Sequence, residues 1–200
     1  MASETDLLND ALGQIGSARI TAIDDGTTNA NHCQVFWPPL RQGLIRSHHW
    51  NCAMKRISLA ADVTAPVSEY AYAYTLPSGC LKVVDYGGGT PSSAAIWPTE
   101  YPAMRYVPRY KIEGRKLLTN DGVVYIRYLD DIDVGQWDAM LYQAGATLLA
   151  SKLSTAILHD HKLALALQQM GDHLLSLAMA VDGQEGSTES FVVNDLIWGR

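Results

Sequence analysis

The side chains in this sequence that could do chemistry are histidines, aspartates and cysteines, and their spacing decides whether they could act together. His48-His49 and the pair His159 and His161 are the clusters with metal-ligating residue types. Helical residues two apart point to different sides, and helical metal ligands sit three or four apart, so neither pair reads as a metal centre. His32 and His173 lack a second ligand nearby and read as surface or interface histidines. Asp130, Asp131 and Asp133 begin like a calcium loop. The chain then continues Val134-Gly135-Gln136-Trp137, without the remaining oxygen ligands or a closing Glu. They read instead as a solvated turn that favours the N-terminus of the next helix. Asp24 and Asp25 are likewise turn residues. Gly87-Gly88-Gly89, followed by Pro91, Ser92 and Ser93, reads as a loop, because a phosphate cradle would need a G-x-x-x-x-G-K pattern and a following helix. Cys33, Cys52 and Cys80 are odd in number and form no C-x-x-C pair, which fits free thiols in a reducing cytoplasm. No G-x-S-x-G, H-E-x-x-H or Cys/His arrangement occurs. The expectation is therefore a non-enzyme with no catalytic residues, no cofactor and no metal; an undetected hydrolase would need polar pairs brought together only by folding.

The elements that would position these residues follow from periodicity. Ser3 or Thr5 can cap a first helix carrying Leu7, Leu8, Ala11, Leu12 and Ile15, with Gly16 as its stop. A second helical stretch, from about Thr28 to Ser47, carries Val35, Trp37, Leu40, Leu44 and Ile45, and Pro38 and Pro39 are expected to kink it. Between Trp50 and Tyr128 the chain changes to β-formers: Ile57 to Val63, Tyr70 to Thr75, Cys80 to Tyr86, Tyr110 to Leu118 and Val123 to Leu129. Asn120-Asp121-Gly122 is expected to turn a hairpin that pairs the last two runs. Trp97, Tyr101 and Tyr106, set among Pro98, Pro102 and Pro108, suggest an extended arm. From about Val134 a third helix is apolar nearly all round and so central in its bundle. In a fourth, Leu163, Leu167, Met170, Leu174, Leu177 and Val181 alternate gaps of four and three, a seam expected to form bundle core.

The fold expected from this pattern is α+β: an α-helical bundle of about four helices from residues 1–49 and 134–182, a β-rich insertion over 50–133, and an extended C-terminal tail over 183–200. In that tail Phe191, Val192, Val193, Leu196, Ile197 and Trp198 have no pattern partner within the chain, and they are the expected protein-interaction residues. Composition narrows the functional classes. At 200 residues the chain can bury one ordinary core, and 18% charged residues is low for such a domain, as an obligate assembly would explain. A net charge of −6 with 15 scattered Lys and Arg residues argues against gripping nucleic acid over a broad surface. Met1 to Asp10 is polar and acidic, unlike a signal peptide, and Ala139 to Leu158 is too interrupted for a membrane span.

Several segments in order resemble the tail tubular protein A family of podovirus head-to-tail adaptors. They are Leu8-Asn9-Asp10-Ala11-Leu12 with the Asp24-Asp25-Gly26 turn, and Leu44 to Arg56 with its Arg46-Ser47-His48-His49-Trp50-Asn51 core. Ala73-Tyr74-Thr75-Leu76-Pro77 before Cys80-Leu81-Lys82-Val83 follows, then Tyr110 to Thr119, then Ile126-Arg127-Tyr128 ahead of the long helix. His49 stands where that family often has Pro, and Cys52 where an aromatic is common. The resemblance runs from Leu7 to about Asp182. It implies a structural virion protein at the head-tail junction, assembled in the host cytoplasm as a ring, typically a dodecamer. That ring would lie between portal protein and tail nozzle protein, with genomic DNA passing through its channel without specific binding. On this reading the tail residues Phe191 to Trp198 anchor on the portal or a neighbouring subunit. A non-catalytic intracellular binding or scaffolding module is the alternative.

Overall fold

The structure, a computed structural model, describes residues 2–67, 70–88 and 110–185. It is α+β, with helices α1 (Glu4–Gln14), α2 (Thr28–Ser47), α3 (Ala139–Leu153) and α4 (His161–Asp182). Between α2 and α3 run the strands β1 (Met54–Leu59), β2 (Tyr72–Thr75), β3 (Cys80–Gly88), β4 (Tyr110–Glu113), β5 (Lys116–Thr119) and β6 (Val124–Asp130). They form two three-stranded antiparallel sheets, one ordered β1-β6-β3 and the other β2-β5-β4.

Local chemistry explains the helix starts. Ser3 accepts from the Asp6 amide while the Asp6 carboxylate accepts from the Ser3 amide, a reciprocal capping box. Thr27, Asp138 and Asp160 cap α2, α3 and α4 in turn. Gly16 takes φ +68° after α1, a conformation costly for residues with a Cβ. Helix α2 runs as one element through Pro38 and Pro39, both of which lie on its exposed side. The carbonyls of Gln34 and Val35, robbed of their helical donors, lie there too, where water can satisfy them.

Three expectations about element boundaries and pairing change in the structure. Helix α3 begins at Ala139; Val134–Gln136 is a 3-10 turn, and Asp138, as cap, sets the start. Gly87 and Gly88 are strand residues of β3, paired with Tyr125 and Val124, and Gly89 lies outside the described residues. Most consequentially, the last two β-runs do not pair. Tyr110 to Leu118 is itself a hairpin, β4 with β5, turned at Gly114 with φ +58°. Asn120-Asp121-Gly122 carries the chain from one sheet to the other. Side chains hold that corner: Asn120 accepts from the Ala71 amide at 2.9 Å, the Asp121 carbonyl from the Tyr74 hydroxyl at 2.7 Å, and the Asp121 carboxylate from the Tyr86 hydroxyl at 2.6 Å.

Strand alternation divides the core. Val124, Ile126 and Tyr128 turn one face of the β1-β6-β3 sheet toward Tyr74 and Leu117 of the other sheet and toward Leu76, which follows β2. Leu129, joined by Met54, Leu81 and Val84, packs instead with the helices. Among the helices α3 is central: it contacts α1, α2 and α4, and ten of its residues are buried. Its close neighbours need small residues. A Cβ on Gly145 would fall 2.9 Å from the Trp137 ring, and one on Gly171 of α4 would fall 2.7 Å from the Leu148 side chain.

Candidate interaction surface

The residue clusters capable of chemistry are separated by the fold. His48 Nε2 lies 3.1 Å from Asp182 Oδ2 and packs edge-on against Trp50, whereas His49 Nε2 accepts from Lys82 Nζ at 3.1 Å. His159, at φ +54°, and His161 are exposed at the start of α4. Asp130 and Asp131 do not form a solvated turn. Asp130 pairs with Lys55 of β1 at 2.5 Å and Asp131 with Arg41 of α2 at 2.8 Å, so the acidic run ties helix and strand together. Cys33 and Cys80 are buried and Cys52 half-buried, all as free thiols. Burial, with help from Asp25, pushes the Cys33 thiol up to about 11, which keeps it protonated and inert. Among the described residues no group of three or more His, Cys, Asp or Glu side chains is placed to hold a metal.

The notable surface belongs to α4. Its large apolar residues fill the bundle core only in part. Leu167 is buried and Leu163 and Leu174 are half-buried, but Met170, Leu177 and Val181 are 57%, 42% and 41% exposed. The face packed on α3 is lined instead by Ala164, Gly171 and Ala178, one every seven residues. At 3.6 residues per turn the large residues lie about 80° round the axis from this small-residue line. The physical reason is close approach. Leu148 of α3 fills the space above Gly171, and a helix presenting leucine there would stand farther away. The missed signal was present in the sequence as that seven-residue repeat of small side chains.

Rotating the large residues off the core leaves grooves on both flanks of α4. One, of about 660 Å³, lies between α1 and α4 with α3 as its floor. Leu167, Met170 and Leu174 form its apolar wall, and Asn9, Asp10 and Gln14 its polar wall. Tyr142 on the floor donates to Asp10 at 2.6 Å, and burial together with that carboxylate raises its pKa. The other groove, of about 410 Å³, runs between α2 and α4 over Phe36, Pro39, Leu40 and Leu175, with Lys152 at its rim.

The end of α4 is fixed from outside the helix. Asp182, 7% exposed, accepts from the Asn51 amide at 3.0 Å and faces His48, and its carbonyl accepts from the Asn51 side chain at 2.8 Å. This clasp sets the point from which residues beyond α4 depart. The interaction residues expected from sequence, Phe191, Val192, Val193, Leu196, Ile197 and Trp198, lie outside the described residues, as do Trp97, Tyr101 and Tyr106. No described helix is long and apolar enough to cross a membrane. No family model and no curated protein matches the chain in sequence.

Proposed function

We propose that this protein is a structural head-to-tail adaptor of a short-tailed bacteriophage, a non-catalytic subunit of a ring between the portal and the tail nozzle. In this reading the ring, a dodecamer by resemblance, continues the DNA channel and is the platform on which the tail is built. The observation that carries the reading is the apolar stripe of α4, which walls one groove and whose Met170, Leu177 and Val181 stay exposed among the described residues. Alternating gaps of four and three along that stripe suit another helix laid nearly parallel to it. A ring contact joins two different faces of identical subunits, and the stripe supplies one of them to a neighbouring copy. Residues 1–49 and 134–182 then act as the helical bundle, 50–133 as an inserted β-rich module, and 183–200 as a tail. Phe191, Val192, Val193, Leu196, Ile197 and Trp198 would anchor that tail on the portal or the adjacent subunit. The net charge of −6 suits a channel subunit that lets duplex DNA slide past, since broad phosphate contacts would brake it. Such a protein resides in the virion at the head-tail junction after assembly in the host cytoplasm.

Native mass spectrometry and electron microscopy of the protein, alone and mixed with portal rings from the same genome, test this. The expected outcome is a ring-shaped layer on the portal with a mass step of many copies, lost when Gly183 to Arg200 are deleted although the subunit stays folded. A full-length chain that ignores portal rings would return the question to an intracellular binding or scaffolding module.

A further inference from the structure

The β1-β6-β3 sheet has a second face, turned away from the other sheet, and only part of it lies under the helices. Met54 and Leu129 occupy the covered part. Beyond them cross-strand register places Arg56 of β1 directly opposite Arg127 of β6, so both side chains rise from the same face. On the other side of β6, Lys82 pairs with Leu129 and Asp85 with Arg127, which brings Lys82 to that face as well. Arg46, exposed at the end of α2, donates to the Leu81 carbonyl and closes the cluster at the β3 edge.

Asp85, 2.8 Å from Arg127, is the carboxylate within this group among the described residues, against the four cations. Arg56 is exposed and has no carboxylate partner among the described residues. Like charges directly opposite across a ladder destabilise it, and Asp85 sits against Arg127 rather than Arg56, so Arg56 at this position is not accounted for by an ion pair among the described residues. The neighbouring His49 senses the same field: burial, then Lys82, His48 and Arg127, lower its pKa.

From this geometry we infer that Arg56, Lys82, Arg127 and Arg46 form a contact surface for the phosphodiester backbone of duplex DNA. The class of ligand follows from what the patch holds and lacks. Arg56 and Arg127 stand about 5 Å apart across the ladder, with Lys82 on the next strand and Arg46 at its edge, beside Tyr125 and, among the described residues, with no exposed leucine, valine or phenylalanine between them. A stable protein partner needs an apolar or aromatic anchor in a desolvated pocket, whereas a phosphate backbone needs only placed cations. The acidity of the whole chain does not cancel the patch, because charges more than about 10 Å away are largely screened at 0.1 M salt. Few cations also mean a weak, sequence-independent hold. This inference stands apart from the portal reading, since a subunit could bind DNA without joining portal rings, or the reverse.

Fluorescence anisotropy of a labelled duplex of about 20 base pairs, titrated with the full-length protein over a salt series, tests it. Three neutralised phosphates predict a log–log salt slope of about −3. Arg56→Ser combined with Lys82→Ser should weaken binding at least ~10-fold at about 50 mM salt and flatten the slope by about two, while Arg56→Lys with Lys82→Arg restores both. Circular dichroism of each variant establishes that it is folded. Absence of binding at low salt, or equal binding by the folded serine variant, would overturn the proposal. So would labelled polyglutamate bound as tightly as the duplex, which would point to an acidic protein instead.

Discussion

Replacing Met170 and Leu177 of α4 by glutamine tests whether the large residues of that helix belong to the core or to an interface. Met170 is 57% exposed and Leu177 42% exposed, so each side chain has about half of its surface still to bury. Full burial of such a side chain is worth about 1.5–3 kcal/mol, so losing the buried half should cost about 1 kcal/mol apiece. Glutamine forms helix nearly as well as methionine and leucine, which adds little. The expected loss for the double variant is therefore about 2 kcal/mol, roughly a 1 M fall in urea midpoint for a slope near 2 kcal/mol/M. Were the two residues core, as their heptad spacing suggests, truncating each would cost about 2–5 kcal/mol and burying each amide would cost more. Urea unfolding followed by circular dichroism separates these cases. Sedimentation of the same protein with portal rings supplies the second reading: a folded subunit that no longer adds a layer is the expected result. A loss of stability beyond ~5 kcal/mol would refute the exposed placement of the stripe. Normal layering by a folded double variant would refute its role in assembly.

Two further outcomes follow from single positions. Gly171→Ala should gain about 1 kcal/mol in helix propensity yet lose more to overpacking, about 1–3 kcal/mol. The new Cβ would sit 2.7 Å from the Leu148 side chain and 3.3 Å from its backbone nitrogen. A rise in thermal midpoint would show that Leu148 can swing aside. Asp25 accepts from Thr27 first and Thr21 second, which holds its carboxyl down at about 2 against an ordinary 3.8. Because the unfolded chain takes up that proton first, its contribution is complete above the ordinary value and is lost as pH falls toward about 2. Asp25→Asn should remove that part of the acid dependence of urea unfolding, and an unchanged acid limb would show that the turn contributes none of it.

Local chemistry was legible because it depends on neighbours in sequence. A cap for the first helix at Ser3 or Thr5, settled by the structure as Ser3, and the second helix from Thr28 to Ser47 follow from nearby side chains and periodicity, as does the change to β-formers after Trp50. The acidic run at Asp130 and Asp131 was legible only as a run. Its partners Arg41 and Lys55 stand far away in the chain, and only folding turns two of the clustered carboxylates into separate ties between layers. The basic cluster was hidden for the same reason, since Arg46, Arg56, Lys82 and Arg127 are scattered until strand register gathers them.

Sequence alone determined where the chain bends at Asn120-Asp121-Gly122 and which residues of α4 share a side of the helix. Tertiary structure decided what those features join. A turn residue sets backbone direction, but the two sheets each bury one apolar face, so β5 pairs with β2 and β4 while β6 crosses to β1 and β3. Periodicity likewise offered α4 two faces, one of leucines and one of small residues. The shape of α3 selected the small face, because Ala164, Gly171 and Ala178 let the two backbones approach around Leu148, and Met170, Leu177 and Val181 were left partly exposed.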